Sequence, residues 1–407
     1  MKLLHTSDWH VGKAIRGHSR ADEHRAVLAE ICGVAAAEAV DLVVVAGDLF
    51  DTAAPTAESE RIAYDALLGL AEAAPVVLVA GNHDNTRRLD AVARLLALGR
   101  ITVATEARPA AEGGVRQLQA ADGTPVQLAL VPFVSQRGIV RADALMAEPA
   151  FRNAQTYADR IRAVIGALTV GFSGDSVNLI VAHLFVAGGT VGGGERSAHL
   201  VEEYGVSAQD FPATASYVAL GHLHRPQLIP GPSPIHYCGS PLQLDFGEQE
   251  QLKQVNLVGL EPGLRAKVTA VPLRSGRALT TLTGTVGDLA AAAATVGDAW
   301  LRVRVTEASR AGLADEVRAV LGGAVVDVRV ERPVDADRSA PRARRDGRTP
   351  SQLFSSYLRE RQIDDRRLER AFDALYDETH EPFDELTVGS EAGIDVRREA
   401  EQLATGL

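Results

Sequence analysis

The chain has 407 residues, 46% of them hydrophobic and 23% charged, which is material for more than one packed domain. A formal net charge of −11 argues against a uniformly basic nucleic-acid coat, and leaves room for a local basic groove or a metal site. The two cysteines, Cys32 and Cys238, form no CxxC pair, so neither disulfides nor thiolate zinc sites are expected and a reducing cytoplasm fits. The start MKLLHTSDWH has no apolar core followed by a small-residue cleavage site, and no apolar run reaches the roughly 18 residues of a membrane span.

In chain order, Lys2–Thr6 reads as a short strand ending at Ser7-Asp8-Trp9-His10, and Asp22–Val40 as a helix with an apolar stripe through Val27, Leu28, Ile31 and Val34. Leu42-Val43-Val44-Val45-Ala46 runs straight into Gly47-Asp48. So short a valine-rich run, stopped by glycine, predicts a strand buried on both faces. Thr52–Ala73 reads as a helix with Pro55 in its first turn, Pro75–Ala80 as a strand ending in Gly81-Asn82-His83-Asp84, and Thr86–Leu98 as a helix stopped by Gly99. This β-α-β-α-β-α order predicts a layered α/β domain with parallel strands.

Shorter, turn-rich strands follow to Phe133, then a helix over Ala142–Leu168. Two more buried-looking strands are expected, Val177–Ala182 ending at His183, and Tyr217–Leu220 ending at Gly221-His222-Leu223-His224. Between them, Gly188–Gly194 is either a phosphate cradle or a surface loop. After Pro272 the composition changes to a small α+β unit with strands at Arg277–Thr285, Trp300–Thr306 and Ala324–Val330 and helices at Val286–Thr295 and Arg310–Leu321. Its arginines form either a solvated face or a DNA grip. A Pro- and Arg-rich linker leads to Thr349-Pro350-Ser351-Gln352, a capping-box start, and two amphipathic helices carry Leu353, Phe354, Tyr357 and Leu358, then Leu368, Phe372, Leu375 and Tyr376. The tail past Pro382 is polar.

The chemistry gathers at strand ends. Five apolar strands finish in residues that bind hard or borderline metals: Asp8 and His10, Asp48, Asn82, His183, and His222 with His224. A carboxylate beyond the carboxyl end of a buried strand sits where open α/β sheets place ligands. Seven oxygen and nitrogen donors exceed the needs of one tetrahedral zinc and suit two octahedral ions sharing Asp48, with manganese, magnesium or iron favoured by the absence of thiolates. Two such ions about 3.5–4 Å apart suit in-line displacement at phosphorus. His83 is expected beside the ions as a proton donor to the leaving alkoxide or a guide for the scissile phosphate, with Asp84 orienting its ring. Asp51 either supports the site or starts a helix. His5, His18, His24, His199, His236 and His380 read as structural.

Taken together, Asp8-Trp9-His10, Gly47-Asp48-Leu49-Phe50-Asp51, Gly81-Asn82-His83-Asp84, Ala182-His183 and Gly221-His222-Leu223-His224 resemble, in order, the motifs of the calcineurin-like metallophosphoesterases. HTSDWHVGK, GDLFD, YCGSP and TPSQLFSSYLRER are similar to the nuclease subunits of bacterial SbcCD complexes, relatives of the Mre-type recombination nucleases. The resemblance implies a β-sandwich nuclease domain flanked by helices (1–272), a capping, DNA-contacting domain (273–332), a linker (333–348), a helix-loop-helix docking on the coiled coil of an SbcC-type, SMC-like ATPase (349–380) and a polar tail (381–407). It implies one manganese held by Asp8, His10, Asp48 and His224, another by Asp48, Asn82, His183 and His222, and His83 as the catalytic histidine. It also implies a homodimer within a heterotetramer, contacting through the helices from Thr52 and Thr86, with Leu89, Val92 and Leu96 as candidate contacts. Archaeal relatives carry histidine at the position of Asp51. The function implied is a manganese-dependent DNA nuclease cutting double-stranded ends and single-stranded or hairpin DNA in repair, with ATP dependence supplied by the partner. The competing expectations are a phosphatase of phosphoprotein or cyclic nucleotide and a scaffold with a vestigial site.

Overall fold

The computed structural model describes residues 1–134, 157–195, 205–331 and, further on, 354–355, 357–359, 366–368 and 370–372. The expected linker at 333–348, the capping start Thr349–Gln352, the first part of the helix from Ala142 and the tail at 381–407 lie outside these residues.

Among the described residues, twelve strands form two six-stranded sheets. The first contains β1 (Lys2–Thr6), β2 (Leu42–Ala46), β3 (Val76–Val79), β4 (Ile101–Ala104), β11 (Gln254–Gly259) and β12 (Lys267–Pro272), in the order β12-β11-β1-β2-β3-β4. The second contains β5 (Val115–Gln119), β6 (Pro125–Val131), β7 (Val177–His183), β8 (Tyr217–Gly221), β9 (Gln227–Ile229) and β10 (Ile235–Tyr237), in the order β5-β6-β7-β8-β10-β9. β1 to β4 run parallel, as do β6, β7 and β8. β11 and β12, which the sequence pattern does not announce, extend the sheet beyond β1, β11 antiparallel to β1 and β12 antiparallel to β11. β12 is an edge strand with no fully buried position, so its alternation carries little apolar contrast.

The valine run shows why the sandwich forms. All five positions of β2 are buried. Side chains alternate across a strand. Val43 and Val45 accordingly join a core with helices α1 (Ala21–Ala37), α2 (Ala57–Ala73) and α3 (Thr86–Leu98). Leu42, Val44 and Ala46 face the other way and meet Val177, Leu179 and Val181 of β7 in the layer between the sheets. Ile180 and Ala182 of β7 face outward to a third core with Ile161, Val164 and Ile165 of helix α4 (Tyr157–Thr169). The layers are therefore helix, sheet, sheet, helix, as expected.

Helix α2 starts later than the expected Thr52. Thr56 is its cap, its hydroxyl accepting from the Ser59 amide at 3.1 Å, so Pro55 precedes the helix. Leu89, Val92 and Leu96 of α3 pack on their own core and not toward solvent. The exposed large apolar residues of these helices are Leu68, Leu95 and Leu98.

A small lobe follows, made of β13 (Leu279–Gly284), helix α5 (Val286–Ala292), β14 (Trp300–Val305), helix α6 (Leu313–Leu321) and β15 (Val325–Val330). Its three strands are parallel and enclose a core of their own around Leu289, Leu301, Val303, Val305 and Val317. Trp300 fastens the lobe to the larger layers. Its indole N–H donates to Glu23 at 2.8 Å, and the Arg277 guanidinium lies 3.5 Å over its ring. Glu23 in turn takes the guanidinium of buried Arg20. Residues 334–407 form a separate unit, in which the described residues are helical and Phe354 stacks on Phe372 at 4.3 Å.

Removing a buried aromatic costs about 3–5 kcal/mol. Trp300→Ala is therefore expected to raise amide exchange across residues 279–330 by about a hundredfold or more, at 1.4 kcal/mol per decade, while the β2 amides stay protected. Hydrogen exchange read by mass spectrometry checks this, and unchanged protection in the lobe would contradict it.

Candidate metal centre

The carboxyl ends of β1, β2 and β3 meet those of β7 and β8 across the inter-sheet layer. The chain then turns sharply, with left-handed backbone at Asp8 (φ 52°), His10 (φ 47°), Asp48 (φ 52°) and His222 (φ 107°). Non-glycine residues in such conformations cost of order 1–3 kcal/mol each and persist where the surroundings over-determine them. The glycines of the GD and GN pairs are required by close approach. A Cβ on Gly81 would fall on the carboxylate and amide of Asp48, and one on Gly47 would strike the His183 ring.

Asp48 is the centre of this arrangement. Its Oδ1 accepts from the His83 amide at 2.8 Å. Its Oδ2 lies 3.5 Å from His10 Nε2 and 3.4 Å from His183 Nε2, between two imidazoles that arrive from different sheets. On one side, Asp8, His10 and His224 bring donor atoms within 4.8 Å of one another. The Asp8 carboxylate accepts from the His222 amide at 2.9 Å and from the Ser7 hydroxyl at 2.5 Å. On the other side, Asn82 Oδ1 is 2.9 Å from both His183 Nε2 and His222 Nδ1. All seven sequence-picked donors thus come together, each buried except half-buried Asn82.

The protonation pattern follows from burial and neighbours. Burial pushes His10 down to about 4 and lifts Asp8 to about 6. At His183 burial, which disfavours charge, is overcome by the Asp48 carboxylate, and the ring is held up to about 9. Asp48 is held well below the ordinary carboxylate range, burial being outweighed by His183 and His10.

The donors fit divalent cations. Both ring nitrogens of His10 are buried without a hydrogen-bond partner among the described residues, and Nε2 is aimed at Asp48. The set is oxygen and imidazole nitrogen with no thiolate. Cys238, 3.1 Å from the Ser7 hydroxyl, has its thiol pushed up by burial and is not a donor here.

The family model described as calcineurin-like phosphoesterase matches residues 1–226. The chain belongs to the calcineurin-like phosphoesterases. It is similar to proteins from three bacteria that are named as the SbcD component of the nuclease SbcCD. That of Bacillus subtilis is 35% identical over 293 residues, 69% of this chain and 71% of the relative. Those of Rhodobacter capsulatus (36% over 294 residues, 67% and 69%) and Escherichia coli (32% over 305 residues, 72% and 73%) are comparable. Within the family it is therefore an SbcD-type phosphoesterase, a metal-dependent phosphodiester hydrolase.

In this phosphoesterase Asp84 does not orient the His83 ring. Its carboxylate accepts from the amides of Gly81 (2.9 Å), Phe50 (3.2 Å) and Leu49 (3.3 Å), tying the β2 and β3 loops together. The ring is instead held by the backbone of Asp51, whose carbonyl accepts from Nδ1 at 2.6 Å. Adjacency in Gly-Asn-His-Asp suggested a pair, but consecutive residues in a sharp turn point apart. The Asp51 side chain faces His10 Nδ1 at 3.6 Å and Lys13 Nζ at 3.2 Å. It is no helix start, since α2 begins after Thr56.

The glycine-rich loop is not an open phosphate cradle. The amides of Gly192 and Gly193 donate to Glu195 at 2.6 and 2.7 Å. Four further neighbours of the site are not among the sequence-picked residues: Glu195, Glu248, Lys253 and Phe133, the last with its ring 6.3 Å from those of His183 and His222. None carries a spacing signal, and each reaches the site through tertiary packing.

Gly81→Ala is expected to abolish tight divalent binding while circular dichroism stays unchanged; retained Mn²⁺ binding by calorimetry would contradict the close approach. Because His183 holds its proton up to about 9, a cation must displace that proton at neutral pH. Affinity for Mn²⁺ is therefore expected to rise from neutral pH toward about 9 and then level, with protons released on binding. Titrations in two buffers of different ionisation enthalpy measure that release, and a value near zero at neutral pH would refute it.

Proposed function

We propose that this chain is the nuclease subunit of an SbcCD-type complex, a two-metal DNA nuclease acting in repair and recombination. The observation that carries the reading is the Asp48 carboxylate between His10 Nε2 and His183 Nε2, the placement a bridging ligand requires. One Mn²⁺ would be held by Asp8, His10, Asp48 and His224, and the other by Asp48, Asn82, His183 and His222, with Mg²⁺ or Fe²⁺ as alternatives. When bound, such ions lower the pKa of water and neutralise phosphoryl oxygens.

The residues of the chain do the rest. His83 is steered by two backbone contacts, its amide on Asp48 Oδ1 and its Nδ1 on the Asp51 carbonyl. Nδ1–H donation to a carbonyl leaves Nε2 to carry or release the proton delivered to the leaving 3′ or 5′ oxygen. Asp84 keeps the two loops in register, and Phe133 offers an aromatic wall beside His183 and His222.

The relatives' shared name, which makes each a component of SbcCD, supports an SbcC-type SMC-like ATPase as partner, docking on residues 349–380. The described helical residues there, with Phe354 stacked on Phe372, suit that role. The ATP dependence would reside in the partner. Residues 273–332 form the capping, DNA-contacting domain in this reading, with Arg304 and Arg329 on its exposed surface. A homodimer contact through α2 and α3 would use exposed Leu68, Leu95 and Leu98, because Leu89, Val92 and Leu96 serve the chain's own core. The complex would be cytoplasmic; no helix among the described residues is long and apolar enough to cross a membrane.

His83→Ala is expected to lower DNA cleavage in Mn²⁺ by about 10²–10⁴-fold, the range for a general acid, with DNA binding retained. Cleavage of duplex ends and hairpins, paired with a mobility-shift assay, reads both. Unimpaired cutting by the variant removes His83 from the mechanism.

A further inference from the structure

His224 is held by more than its place after β8. Its Nδ1 lies 3.0 Å from Glu248 Oε1, and both groups are buried. The other Glu248 oxygen accepts from Lys253 Nζ at 2.7 Å and from the Leu244 amide at 3.0 Å. Lys253 Nζ also donates to the His224 carbonyl at 3.0 Å and to the Ser240 hydroxyl at 2.9 Å. The His224 amide donates to Glu195 at 2.9 Å. Ring, amide and carbonyl of one histidine are thus each tied by a charged side chain outside the seven donors. Gly194 completes the wall, since a Cβ there would lie 2.7 Å from Glu248 Oε1 and 3.0 Å from His224 Nδ1.

A buried ion pair is weak as a source of stability, because desolvating both charges offsets their attraction. Its placement against His224 suggests another use. An imidazole binds a cation through one nitrogen, and the partner of the other nitrogen selects which one is bare. A carboxylate can only accept, so Glu248 keeps the proton on Nδ1 and leaves Nε2 for a cation.

We propose that Glu248, charge-balanced by Lys253, is a positioning residue that fixes the His224 tautomer and so sets the affinity of the ion position built from Asp8, His10, Asp48 and His224. This rests on the two-ion reading above. The opposite position differs, because among the described residues His183 Nδ1 faces a neutral group, the Ala46 carbonyl, at 2.8 Å.

Glu248→Gln tests it in the full-length chain. The glutamine carbonyl remains for Lys253 and the Leu244 amide, which turns its NH₂ toward Nδ1 and forces that nitrogen to accept. Mn²⁺ titration followed by electron paramagnetic resonance should show two ions per unaltered chain. In the variant one of the two should bind about 10–100-fold more weakly, the range for lost outer partners of a metal ligand, and the other should be unchanged. Glu248→Asp, which keeps the acceptor, should recover part of the loss. Nitrogen-15 spectra of the metal-free, unaltered protein should show His224 protonated at Nδ1, a readout that needs no variant to fold. Equal weakening of both ions together with a lowered unfolding temperature would make Glu248 merely structural and overturn the proposal, as would unchanged binding or an Nδ1-bare ring. If the unaltered chain binds no Mn²⁺, the two-ion reading itself fails, and the imidazole spectrum still decides the role of Glu248.

Discussion

One carboxylate, Asp48, sits between two imidazoles that come from different sheets, and the rest of the architecture keeps it there. The contacts to His10 Nε2 and His183 Nε2, at 3.5 and 3.4 Å, require the tips of β1, β2 and β7 to be held in place together. An isolated carboxylate in a dry interior costs several kcal/mol. The interior tolerates this one because the amide of His83 and two flanking rings converge on it. The inter-sheet layer of Leu42, Val44, Ala46, Val177, Leu179 and Val181 sets the spacing. The helical layers beyond leave each sheet no freedom to slide.

That rigidity also explains the backbone. Four of the donor residues adopt left-handed φ, a conformation that local sequence alone would abandon. Each strained turn follows a strand, β1, β2 or β8, that is buried up to its carboxyl end, so the strand cannot shift to relieve it. The loops are then stapled by hydrogen bonds of their own. Asp84 gathers three amides from two loops, and Ser7 and the His222 amide grip Asp8. The stability of the sandwich core is in this sense converted into the geometry of the site.

Much of this was legible in the sequence because it is written at short range. A valine run stopped by Gly-Asp declares both a buried strand and a carboxylate at its end, and all seven donors stand at such ends. What was not legible is written at long range or on half-exposed surfaces. β11 and β12 mix polar and apolar positions, since β12 lies at an edge. The α3 stripe through Leu89, Val92 and Leu96 has the same helical spacing whether it faces a core or a partner; only the fold shows that it faces the core. Asp84 sits next to His83 in sequence and points elsewhere, while Glu248, more than 160 positions away, touches another histidine of the site.

The two halves of the proposed site are built from different chemistry. On the side of His10 and His224, each Nδ1 faces a carboxylate, Asp51 or Glu248, and each carboxylate is balanced by a lysine, Lys13 at 3.2 Å or Lys253 at 2.7 Å. On the side of His183 the corresponding partner is a neutral carbonyl. At His224 the carboxylate is in hydrogen-bond contact, whereas at His10 it only faces the ring, so the outer partners of the donor histidines differ in both charge and distance. Asp51 links this asymmetry to proton transfer. Its side chain faces His10 and its own carbonyl holds the His83 ring. A single residue thereby presents its carboxylate to one histidine of the donor set and holds the ring of His83 with its carbonyl. Any movement of the loop after β2 must disturb both at once.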